Sequence, residues 1–270
     1  MPVAFIPLRL SWKRALLFPT QGCDSWAKLR HGGWWLLLCP PLGWLLALGY
    51  RRAVALRLAD GVEPALPSWQ GQHLDTLWQG GKAVAVILTY FAPFLTLYWV
   101  LAVPDAATLW EHRQEAGWFL FLLPWLLPVT LPALVLGSPR WHPWMTFTPA
   151  AVVILAALFV LTTFLLPAAF LQVSLHRRFR YALRLDRVIK LVVATPRLYV
   201  EAWLVSLLAT AAAALSGPLM PWGIFWSYLV IGFTFNEALV FSGQPGVSER
   251  FANSIWLPPE QRGVEHTRSQ

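Results

Sequence analysis

Residues 195–241 read TPRLYVEAWLVSLLATAAAALSGPLMPWGIFWSYLVIGFTFNEALVF, and this pattern decides the fold class. Two apolar runs, 196–216 and 221–241, each reach the length at which a helix crosses a bilayer, about 20 residues. Thr195-Pro196 is a good helix start, with Thr as N-cap and Pro at the first helical position. Ser216-Gly217-Pro218 is a good stop, and the next run begins within a few residues. The pair reads as a tight helical hairpin.

Four more apolar blocks precede it, at 33–50, 83–103, 117–137 and 147–173. Charged residues make up only 13% of the chain and apolar ones 57%. A soluble domain carries about 25% charge. Tryptophans such as Trp34, Trp35, Trp110, Trp118, Trp222 and Trp226 sit where the blocks end, the place of an aromatic belt. The expected class is all-α, a polytopic helical membrane bundle forming a single integral membrane domain over 1–270. Residues 1–32 are expected to be a cytoplasmic interfacial segment, and 242–270 a polar, flexible tail. No cleavable signal peptide is expected, because the basic residues of MPVAFIPLRLSWKR follow its short apolar stretch. Cys23 and Cys39 cannot make a disulfide framework, and Cys39 lies in an apolar run where packing is its expected role.

Proline divides the six blocks. The block 33–50 is short and has Pro40-Pro41 at its centre; 117–137 carries Pro124, Pro128 and Pro132, one per turn. Proline removes a backbone donor and clashes with the preceding turn, so these two read as broken or re-entrant helices and the other four as full spans. Charge points the same way. Of the Lys and Arg residues, five lie in 1–32, four in 51–82, seven in 176–197 and three in 242–270. If the two proline-rich blocks return to their own side, all four basic segments and both termini face the cytoplasm. Pro167 also interrupts 147–173, where Thr162 and Thr163, one turn earlier, are placed to satisfy the freed carbonyls.

Two groups of residues are candidate sites. The segment 177–190, RRFRYALRLDRVIK, reads as a basic amphipathic interfacial helix. Arg177, Arg178, Arg180, Arg184, Arg187 and Lys190 are its candidate lipid- or partner-binding residues, with anionic headgroups the expected lipid. Its apolar face is Leu185, Val188, Ile189 and Val192. Glu201, Asn236 and Glu237 are polar groups at membrane depth, where carboxylates default to a functional hypothesis. The segment 51–82 is read as cytoplasmic surface, its Leu74, Leu77 and Trp78 facing the membrane and its His73 and Asp75 solvated. No metal spacing, nucleophile elbow, P-loop or dinucleotide fingerprint appears, so no cofactor is expected, and neither is nucleic-acid binding.

Several stretches carry a family resemblance: ALLFPTQGCDSWAKL, LLLCPPLGWLLALGYRRAVAL, DGVEPALPSW, HLDTLWQGGKAVAVILTYFAPF and LLPAAFLQVSLHRRFRYALRLDRVIKLVVATPRLYV, followed by the final hairpin. In this order they resemble a family of polytopic prokaryotic membrane proteins, domain of unknown function 4013. Membership implies the cytoplasmic membrane and supplies no catalytic residues. The leading functional expectation is a non-enzymatic accessory subunit, scaffold or membrane-organising protein in a membrane-protein complex. The alternative is a small-solute permease or a transporter's membrane component, and an intramembrane enzyme has the least support.

Overall fold

The computed structural model describes residues 11–22, 24–60, 65–69, 71, 73–102, 148–176 and 179–240. The block 117–137, the loops on either side of it, Cys23 and the tail 242–270 lie outside them. Among the described residues the regular elements are helical: α1 Trp12–Leu17, α2 Ser25–Leu38, α3 Pro40–Asp60, α4 His73–Ala102, α5 Pro149–His176, α6 Leu185–Ala194, α7 Pro196–Leu215 and α8 Met220–Val240, with short 3-10 turns between some of them. Four stretches are long and apolar enough to cross a membrane: His73–Leu97, Ala150–Val173, Pro196–Leu215 and Gly217–Ala238. They fall on the four blocks expected to span, and the protein is an α-helical membrane protein.

The first proline-rich block is a helical hairpin. α2 stops at Leu38 and α3 starts at Pro40, leaving the half-buried Cys39 at the break. A Cβ on Gly43 would run into the Trp35 carbonyl, so the first turn of α3 crosses directly over the last of α2. The chain beyond α3 then closes the hairpin's open end. Lys28 Nζ donates to the Leu66 carbonyl (2.8 Å), Trp69 Nε1 to the Lys28 carbonyl (3.2 Å) and the Tyr50 hydroxyl to the Pro67 carbonyl (2.7 Å). Residues 25–32, within the segment expected to be interfacial, form the first turns of α2.

α8 is the axis of the bundle. The N-terminal segment runs antiparallel along it: Phe18 stacks on Phe233 at 4.3 Å, Gly32 meets the Phe225 ring and Gly33 the Trp222 ring. Trp222 Nε1 donates to the Arg30 carbonyl (3.2 Å). From α3, Trp44 Nε1 donates to the Tyr228 hydroxyl (3.0 Å). α3 and α4 touch backbone to backbone through glycine. A Cβ on Gly49 would overlap the Thr76 carbonyl oxygen, and one on Gly80 that of Leu45. Small residues allow this approach where lipid provides no hydrophobic drive between helices.

α5 passes through Pro167 without ending. Thr162 and Thr163 do not repair it as expected: Thr162 Oγ1 reaches the Tyr90 carbonyl and Thr163 Oγ1 the Val160 carbonyl. The repair comes from α7. The Tyr199 hydroxyl donates to the Phe164 carbonyl (2.6 Å) and accepts from the Ala168 amide (3.1 Å). One phenol thus bridges a donor and an acceptor that an unbroken helix would pair with each other. At the start of α7, Thr195 occupies the cap position and Pro196 the first turn, but the Thr195 side chain makes no capping bond.

Candidate functional site

The basic segment is not one continuous helix. Arg180 lies in the 3-10 turn Phe179–Tyr181, Arg184 has a non-helical backbone at the cap position, and only Arg187 and Lys190 lie within α6. The Tyr90 hydroxyl donates to the Ala182 carbonyl (2.6 Å), taking the acceptor a continuous helix would give to Asp186. The helix therefore restarts at Arg184, whose carbonyl accepts from the Arg187 and Val188 amides. Arg180, Arg184 and Arg187 still converge, their guanidinium carbons 5.5, 5.8 and 4.7 Å from the centroid of the Tyr181 ring. Arg177 and Arg178 lie outside the described residues.

The apolar face expected for this segment is split. Val188 and Leu191 are buried against the bundle, and Gln172 Nε2 ties α5 to the Arg187 carbonyl (3.2 Å). Leu185, Ile189 and Val193 are exposed, along with Arg184 and Lys190. A helix with one docked face, one bare apolar face and a basic rim suits the membrane interface.

The structure does not pair the two hairpin carboxylates. Glu201 forms an i,i+4 ion pair with Arg197 at 3.3 Å, with the Arg197 side chain largely exposed. Glu237 is buried at 2% exposure, and its Oε2 has no hydrogen-bond partner among the described residues. It interacts electrostatically with Arg14 of α1: burial lowers the Arg14 pKa, and Glu237 pushes it back up. Asn236 is buried and its Nδ2 donates to the Gly232 carbonyl (2.7 Å), within α8.

Two features escaped the sequence. His73, read as solvated, stacks with His31 at 6.1 Å, and His31 lies 5.1 Å from Trp69. Trp35 Nε1 donates to His31 Nε2 (2.9 Å), and burial followed by the charge of His73 lowers the His31 pKa. The second feature is a cavity of about 210 Å³ between α3, α4, α5, α7 and α8. Arg51, assigned to the cytoplasmic surface, instead turns inward to line it, its guanidinium 4.8 Å from the Phe170 ring centroid. Its neighbour Arg52 points elsewhere, to Gln79. The adjacent basic pair at 51–52 was the available signal, but nothing in it says which residue faces inward. Among the described residues no group of three His, Cys, Asp or Glu side chains is placed to hold a metal ion.

A family profile described as Protein of unknown function (DUF4013) matches residues 33–222, from within α2 to the first turn of α8. No curated protein and no solved structure matches the chain. The matched span includes the end of α2, all of α3, the cavity-lining parts of α4, α5 and α7, and the basic segment, more than half of the whole. The chain belongs to the family described as Protein of unknown function (DUF4013).

Proposed function

We propose that the protein is a non-enzymatic accessory or organising element of the cytoplasmic membrane, with both termini cytoplasmic, that holds anionic lipid or a membrane partner through its basic segment. The observation that carries this reading is α6. Its buried Val188 and Leu191 fix it to the bundle and its bare Ile189 and Val193 face outward, leaving three arginines gathered on Tyr181 at its start. Each basic residue near an anionic surface contributes about 1 kcal/mol. Three such residues together contribute about 3 kcal/mol, which suits the cluster to a phosphate-rich surface.

The test uses the full chain purified in a neutral detergent. The wild type is expected to retain anionic phospholipid through purification, and the triple variant Arg180→Gln, Arg184→Gln, Arg187→Gln to lose most of it. Equal retention in both, with both folded, sinks the electrostatic part of the proposal. The permease reading is favoured by the inward-facing Arg51 cavity. Solute flux through wild-type proteoliposomes, absent in empty ones, would select that reading instead.

A further inference from the structure

We propose that the cavity between α3, α4, α5, α7 and α8 is a binding site for one anionic amphiphile of the bilayer, its phosphate or carboxylate held by Arg51 and Tyr228. The inference comes from counting donors and acceptors. Three hydroxyls on the cavity wall already donate to their own helices: Thr163 to the Val160 carbonyl, Ser206 to Ala202 and Thr210 to Ser206. Tyr228 differs. Its oxygen accepts from Trp44, and its own proton has no acceptor among the described residues. Arg51 brings further donors to the same space and, among the described residues, has no carboxylate partner and no hydrogen bond. No Asp or Glu appears among the residues lining the cavity. The unused donors of the cavity are thus the Tyr228 hydroxyl and the Arg51 guanidinium, and the one charged group among its lining residues is cationic, which makes that end complementary to an anion.

The remaining wall selects an amphiphile over a bare ion. Phe91, Phe159, Leu166 and Ile231 make most of it apolar. At about 210 Å³ it exceeds the roughly 150 Å³ of an apolar cavity that takes up benzene. α5 and α7 touch where Phe164 meets Tyr199 and Trp203, at 5.1 and 5.6 Å. Exposed Leu207 and half-exposed Thr163 and Thr210 flank the cavity on the two helices, which opens it toward the surrounding hydrocarbon. A chain leaving between α5 and α7 would keep its charged end inside on Arg51, the reverse of an annular lipid.

Equilibrium binding of radiolabelled dodecyl phosphate to the full-length protein in neutral detergent tests this. One saturable site per chain is expected, weakened about tenfold in Arg51→Gln by loss of a charge-assisted hydrogen bond, and less in Tyr228→Phe. Ser206→Phe, which fills the cavity and leaves Arg51 in place, should weaken binding independently, with folding read from an unchanged elution volume. Dodecanol and inorganic phosphate should each compete poorly. Dodecanol competing as well as dodecyl phosphate would overturn the anionic assignment, and inorganic phosphate competing as well would replace the amphiphile with a small anion. Binding unchanged in both Arg51→Gln and Ser206→Phe would remove the site altogether.

Discussion

α5 and α8 invert the rule that governs water-soluble cores. α5 is the most apolar spanning stretch, with mean hydropathy 2.5, yet only 22% of it is buried in the protein; α8 is the least apolar at 1.2 and is 61% buried. In water the ranking would be opposite, because apolar area would be driven inward. In hydrocarbon, leucine gains little by leaving lipid, so packing and hydrogen bonds decide which helix sits at the centre. α8 supplies both. Phe225 and Phe233 fit against Gly32 and Phe18, while Trp222 donates to the Arg30 carbonyl and Tyr228 accepts from Trp44. α5 turns Val153, Ile154, Val160 and Leu161 outward.

The largest effect should come where close packing leaves no room at all. Gly80→Leu forces a side chain into the Leu45 carbonyl and should separate α3 from α4, costing about 3 kcal/mol or more and lowering the midpoint of detergent-induced unfolding. A Cβ added at Gly81 on the same helix would meet nothing within 4 Å, so Gly81→Ala should leave the midpoint unchanged or raise it slightly. Equal losses at both positions would mean that α4 responds to helix geometry and not to its contact with α3. Next in size is truncation on the two contrasted helices. Phe225→Ala should cost about 3 kcal/mol, while Val153→Ala, 68% exposed, should cost well under 1 kcal/mol in the same assay. Among the changes at buried contacts, the smallest effect belongs to the join between α5 and α7. Tyr199→Phe removes the hydroxyl that bridges Phe164 and Ala168 and should cost about 1–2 kcal/mol, with backbone amide exchange rising near Ala168 and not near Val153.

How much of this was legible depended on how far each determinant lies along the chain. The bounds of α7 were readable because Thr195-Pro196 and Ser216-Gly217-Pro218 act locally. Pro40 likewise marked the break between α2 and α3. The repair at Pro167 was not readable, since its hydroxyl comes from Tyr199, more than thirty residues later, and the nearby threonines looked adequate. The arginine spacing from 180 to 187 continues smoothly through a break imposed by Tyr90, a residue on another helix. Arg51 and Arg52 are roughly 100° apart on a helix, so one must diverge from the other, but only the packing of α3 against α5 and α8 decides which enters the cavity.

The central claim is that the bundle is organised around α8, with the apolar face of α5 left to lipid. A lipid-soluble carbene photolabel applied to the unmodified protein in liposomes, with labelled positions mapped by mass spectrometry, tests it without any substitution. Labelling is expected at Val153, Ile154, Val160 and Leu161 of α5 and at Leu204, Leu207 and Leu208 of α7, and to be absent from Val230, Phe233 and Thr234 of α8. Labelling of α8 at a level equal to α5 would contradict the account.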